Sequence, residues 1–250
     1  MIISSNKTQL TLFYDKQAYP IYLTIGNIPK DICQKLSHHG QLLVAYIPTT
    51  KLGGIANKCG RRHALANLFH ACMGDLLDPI ASHSESGLPM MSGDGVWQRC
   101  YPIFTIFISD YPEQMLAICT YNGRCPKCSV MPDDLGKYQS FLPHRQSSAI
   151  TIYCLVDDEN VHAFHLACCQ AGLKPIFHPF WETLLFSNIF ISITPNILHQ
   201  LLQGMMRHLI KWVIKIYSSA AIDLCCKAMP PNHKTMLFMK GIATLSQVSG

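Results

Sequence analysis

The chain opens MIISSNKTQLTLF: a short apolar run, two serines, Asn6, then Thr and Leu in alternation, the pattern of a strand end running into a tight loop. Residues 7–13 (KTQLTLF) and 19–28 (YPIYLTIGNI) both have strand composition, and the loop YDKQA between them predicts an antiparallel hairpin. A third apolar run, QLLVAYIP at 41–48, ends on a proline. From about Asn57 to Ile80 the period changes. Leu65, Leu68, Phe69, Cys72, Met73, Leu76 and Leu77 recur at helical spacing, which predicts an amphipathic helix with Arg61, Arg62 and His63 near its start. After a Ser, Gly and Pro-rich loop (SHSESGLPMMSGDG), PIFTIFIS at 102–109 is a strong β run that stops at Asp110, Tyr111 and Pro112.

Beyond that point the character shifts. TYNGRCPKCSV leads into a Pro, Asp and Ser-rich stretch reaching about residue 148, then a strand-like AITIYCLV, then a helix HAFHLACCQAGL closed by Gly172. An aromatic loop, FHPFWETLLF, precedes the strongest helix, residues 197–217, whose apolar face is Ile197, Leu198, Leu201, Leu202, Met205, Leu209, Ile210 and Val213. No internal repeat is visible. The pattern divides the chain softly near residue 120, into a 1–120 core and a mostly helical 121–250 insertion with a CxxC knuckle.

The order β-β-β-α-β is what an α/β, ribonuclease H-like core gives, with its first strand central and the strand after the first helix beside it. Asn6 on the first strand and Asp110 at the end of the fourth then face one site. In such a site carboxylates hold two divalent cations, which activate the attacking oxygen of a phosphodiester reaction and stabilise the leaving one. The plainer reading of Asp110 is a turn or helix-cap aspartate. Asp94, in SGDGV, reads as a turn residue, and Asp15 as a solvated residue near the hairpin tip.

Composition constrains the classes. With 49% hydrophobic residues, the 250-residue chain has material for a sizeable core. Twenty Lys and Arg against fifteen Asp and Glu leave +5, mildly basic, which permits DNA contact without requiring it. Arg61, Arg62 and His63 are the basic cluster best placed for phosphates; Arg207, Lys211 and Lys215 read as a solvated helix face. Six of the twelve cysteines (Cys72, Cys154, Cys168, Cys169, Cys225, Cys226) sit in apolar or helical stretches, as buried free thiols do. No leader pattern opens the chain, so the expectation is a protein that is not secreted, with reduced thiols in a cytoplasmic or nuclear setting. The apolar stretch LIKWVIKIY is short and carries two lysines, far from the roughly 20 residues a membrane span needs.

Cys125 and Cys128 have the C-x2-C spacing that brings two thiolates to one tetrahedral ion. They supply half a zinc site. The candidates for the remainder are His199 and His208, with His162, His165 and His233 behind them. Nine residues along a continuous α-helix turn His199 and His208 to nearly opposite faces, which favours His199 as the third ligand. A hydrogen-bonded, partly buried imidazole is the alternative for either. Trp97, Trp181 and the aromatics of FHPFW read as packing groups.

The stretches NKTQLTLF, AYPIYLTIGNIPK, RRHALANLFHACM, MMSGDGVWQRC, PIFTIFISDYPEQ, GRCPKC, GLKPIFHPFWETL and ITPNILHQLLQGMMRHLIKW closely resemble the Plavaka transposases of fungal mobile elements. These are related to Kyakuja-Dileera-Zisupton and CACTA elements. The similarity runs from residue 2 to Gly250 with few gaps. The resemblance implies a nuclear DNA-cutting and strand-joining enzyme of the DDE type, acting on transposon ends with other transposase subunits. It implies a triad of acids binding Mg²⁺ or Mn²⁺ on a ribonuclease H-like fold, interrupted by a zinc-bearing insertion.

By that resemblance the first acid, the aspartate of SSDKTQLT, falls on Asn6, and the second, in GDYPEQ, falls on Asp110. The third, a glutamate, is expected further downstream than these 250 residues reach; the family's DxLHQL reads NILHQL here, making Asn196 a further departure. An amide offers one neutral carbonyl where a divalent cation calls for a carboxylate. The expectation is a degenerate, incomplete copy, inactive alone. The alternative is a non-catalytic, zinc-containing module that binds DNA or protein; a basic amphipathic helix at 197–217 docking on a membrane or a calmodulin-like partner is a third.

Overall fold

The computed structural model describes residues 1–228 apart from 12–15, 135, 139, 155–160 and 196. In chain order the elements are β1 (Ile2–Ser5), β2 (Thr8–Gln9), β3 (Gln17–Ala18), β4 (Pro20–Thr24), α1 (Lys30–Cys33), β5 (Leu42–Tyr46) and α2 (Lys58–Ser86). They continue with β6 (Leu88–Met91), β7 (Trp97–Cys100), β8 (Ile106–Ser109), α3 (Tyr111–Ala117), α4 (Gln146–Tyr153), α5 (Val161–Ala171), α6 (Ile189–Ser192) and β9 (Ile193–Pro195). A π-helical stretch (Ile197–Met206), α7 (Arg207–Tyr217) and α8 (Ser219–Ala228) complete the described chain.

The molecule is mixed α/β, built on a five-stranded sheet in the order β5-β4-β1-β8-β9. β1 is central: it pairs antiparallel with β4 and parallel with β8, while β5 extends the antiparallel side and β9 the parallel side. Alternation sends Ile3 and Ser5 inward from β1 and Phe107 and Ser109 inward from β8. Ile3, Ile21 and Phe107 are fully buried and meet α2, whose inner stripe is Ala66, Phe69, His70, Met73 and Leu77. Each such apolar side chain contributes about 1.5–3 kcal/mol. Phe180 ties the two layers together, with its ring 6.3 Å from Phe69 and 6.2 Å from Phe107.

Several elements differ from the sequence reading, each for a local reason. The main antiparallel pairing is β1 with β4, not residues 7–13 with 19–28; β2 and β3 form a separate small ribbon. Lys7–Gln9 is too polar for the core and is exposed, whereas Ile2–Ser5 has the alternation a buried strand needs. Asn6 therefore lies just past β1 rather than on it, and Asp15 lies outside the described residues.

α2 runs on to Ser86, and the supposed loop after it is a helical turn followed by the β6–β7 hairpin. Ser82, Ser84 and Ser86 hydroxyls donate to the carbonyls of Pro79, Ala81 and Ser82, which is how a serine-rich end stays helical. Gly87, at φ +74°, closes the helix, and Asp94 accepts from Val96 N at 3.2 Å as the expected turn residue.

AITIYCLV begins as helix rather than strand. Tertiary packing overrides β-propensity there: Ala149 and Tyr153, one helical turn apart, are buried, and Gln146 bonds the backbone at Ser187 and Ile189. Gly172, at φ +72°, closes α5 as predicted.

The chain divides into two compact units, Met1–Pro195 and Asn196–Gly250; the sequence-derived line near residue 120 falls inside the first. In the second unit the helix expected over 197–217 is present, but its first ten residues wind as a π-helix. The phase calculated for His199 and His208 on a continuous α-helix does not apply to it. The side chain of His199, together with Asn196 and His233, lies outside what the structure describes.

Candidate functional site

The carboxyl ends of the two parallel central strands define the site. β1 and β8 pair Ile2 with Ile106, Ile3 with Phe107 and Ser4 with Ile108. Asn6 directly follows β1, and Asp110 directly follows β8. Asp110 is also the N-cap of α3: its Oδ1 accepts from Glu113 N at 3.1 Å, with Pro112 in the first turn. One such bond uses a fraction of a carboxylate's acceptor capacity. Gln114, a turn on, donates to Ser109 O and Thr194 O and thereby bolts α3 to β8 and β9.

Beneath Asp110 lies an acid the sequence reading passed over. Glu113 is buried and its carboxyl receives hydrogen bonds from the Ser5 hydroxyl and Tyr19. Burial raises its pKa to about 7, against the pull of those two donors, and burial likewise pushes the Tyr19 phenol up. The D-x-x-E spacing of a capping box was the signal available in SDYPEQ. Here the glutamate turns inward to the core instead.

A cavity of about 450 Å³ opens at these strand ends, lined by Asp110, Glu113, Lys7 and Arg62 over an apolar wall that includes Leu65 and Phe69. Arg62 is thus at the site, while Arg61 donates to Ile55 O at 3.1 Å and is engaged at the start of its own helix. His63 faces the rings of Phe177 and His165, and burial together with His165 pushes its pKa down.

Cys125 and Cys128 share a tight loop in which Lys127 N donates to Cys125 Sγ at 3.4 Å and the two thiols interact. Residues 142–144 run back antiparallel beside it, with Ser129 N on Leu142 O and His144 N on Lys127 O. His144, which sequence reasoning missed, is brought to this loop, and its Nε2 bonds Cys125 O at 3.1 Å. His165 instead packs against His63, and His208 against Trp212 in the second unit. Among the described residues no group of three or more His, Cys, Asp or Glu is placed to hold a metal ion.

Two thiolates are half of a zinc ligand set, and the single carboxylate of Asp110 is a weak set for Mg²⁺ or Mn²⁺, with Glu113 tied up in its own hydrogen bonds. The knuckle is nevertheless mechanically joined to the site. Tyr111 OH donates to Arg124 O and accepts from Gly123 N, both at 2.8 Å, and Lys127 Nζ donates to the carbonyls of Phe190, Ile191 and Ile193.

Residues 1–213 match the model of the Plavaka transposase family. The chain belongs to that family. No curated protein and no solved structure matches this Plavaka chain. Membership of a transposase family implies interaction with DNA. Among the described residues, no helix is long and apolar enough to cross a membrane.

Proposed function

We propose that this Plavaka protein is a degenerate DDE-type transposase, built for metal-dependent DNA cleavage and strand transfer but deficient at its first metal-binding position. The observation that carries the reading is the parallel pairing of β1 with β8, the two strands that Asn6 and Asp110 directly follow at their carboxyl ends. The sheet order, with β1 central, antiparallel on one side and parallel on the other, supports a ribonuclease H-like core. Asp110 is the acid that would hold Mg²⁺ or Mn²⁺. Asn6 contributes a neutral carbonyl in place of a charged oxygen, so the cation is held weakly and little charge is neutralised at the phosphodiester. Lys7 and Arg62 border the cleft and would position phosphates.

Cys125 and Cys128 are the core of a structural zinc site, with His144, held at the same loop, as a further ligand. Its role is to brace the start of α3, to which Tyr111 connects it. The setting is the nucleus, with transposon ends and other transposase subunits as partners. Incubation of the 250-residue chain with supercoiled DNA carrying fungal terminal repeats, in Mg²⁺ or Mn²⁺, tests the reading: no nicking is expected, and Asp110-dependent nicking by the native sequence would refute the deficiency. A second reading, a zinc-containing binding module descended from the enzyme, is favoured by the same Asn6 and predicts DNA binding that survives Asp110→Asn.

A further inference from the structure

A second cavity of about 760 Å³ lies on the other side of Arg62, and Pro112 and Leu116 also belong to both walls. Its character differs from the first. Arg62 and Lys174 bring positive charge, Tyr121 and Asn122 line it, and no carboxylate does among the described residues. His63, also lining it, has its pKa lowered by burial and by His165. Arg62, Tyr121 and Asn122 are exposed. Pro112 and Pro175 add flat apolar surface.

A cationic, acid-free hollow with one accessible aromatic ring and an exposed amide suits a phosphodiester chain whose bases are unpaired. Phosphates pair with Arg62 and Lys174, a base stacks on Tyr121, and Asn122 meets a base edge. A duplex keeps its bases stacked on each other and gains nothing from Tyr121.

We infer that this second cavity binds an unpaired nucleotide segment of the DNA strand whose phosphate lies at Asp110, with Arg62 as the shared contact between the two. This rests on the transposase reading and extends it, by naming single-stranded DNA as the ligand and Tyr121 as its stacking partner. It also gives the 450 Å³ cleft a direction, with the strand leaving past Arg62 toward Lys174.

The test is fluorescence anisotropy of the full chain with a labelled oligodeoxythymidylate and with a blunt duplex of equal length, at two salt concentrations. Tyr121→Ala and Arg62→Gln are compared with the native protein, with circular dichroism melts to show that both fold. The single strand is expected to bind more tightly than the duplex. Tyr121→Ala should weaken the single strand about ten-fold and leave the duplex unchanged, and Arg62→Gln should weaken both and flatten the salt dependence. Duplex binding with no single-strand preference, or a Tyr121→Ala variant that binds the single strand like the native chain, overturns the inference and leaves the transposase reading intact. Failure to bind either DNA overturns both.

Discussion

Glu113 and His70 make opposing contributions to how stability responds to pH. Glu113 keeps its proton in the folded state up to about 7, against 4.5 for an ordinary glutamate. Its contribution is complete below pH 4.5 and is lost as pH rises to 7, on the order of 3 kcal/mol by linkage. His70 is fully buried, its Nε2 on Leu116 O at 3.0 Å and its Nδ1 accepting from Phe180 N, and its pKa falls to about 4 from 6.5. It stabilises above pH 6.5 and loses that contribution as pH falls to 4. The two offset each other across the weakly acidic range. Glu113→Gln removes one side, so the melting temperature of that variant should rise with pH between 4 and 6.5 and then hold, whereas that of the native protein, in which the two contributions cancel, should change little; thermal melts along a pH series read this directly. Ser109 makes a smaller case. Its buried hydroxyl has no hydrogen-bond partner among the described residues, so Ser109→Ala should raise stability by about 1 kcal/mol in urea titration.

At the scale of elements, α3 separates two roles of Asp110. As N-cap it holds the first turn through Glu113 N; as a strand-end carboxylate it faces the cleft. Asp110→Ser retains a capping oxygen and should cost well under about 1 kcal/mol, whereas Asp110→Ala should cost about 1 kcal/mol. Both should abolish Mn²⁺ binding, measured by calorimetry, because both remove the carboxylate. The sequence pattern revealed the strand ending at Asp110, the helix starting near Asn57 and the closure at Gly172, because alternation, helical period and glycine each leave a local mark. It concealed what depends on distant partners. α4 is helical because Ala149 and Tyr153 find a core to fill, and Glu113 turns inward because Ser5 and Tyr19, far away in sequence, offer donors. His144 reaches the knuckle through an antiparallel return that only the folded backbone creates.

Across the whole molecule, the sheet and its covering helices belong to Met1–Pro195. That segment, expressed alone, should melt cooperatively with near-ultraviolet dichroism of a fixed aromatic core; a broad, probe-dependent transition would contradict its standing as a unit. The full chain should retain about one zinc ion through gel filtration and lose it in Cys125→Ser/Cys128→Ser, by elemental analysis. The central claim is that position 6 and Asp110 are neighbours in one metal site, and that the amide is what weakens it. Restoring the carboxylate tests that most directly. Mn²⁺ titration of the native chain, Asn6→Asp and Asn6→Asp/Asp110→Asn should show affinity rising at least about ten-fold in the single variant and returning to the native level in the double. Equal Mn²⁺ affinity for the native and Asn6→Asp chains, or a gain that survives loss of Asp110, would contradict the account.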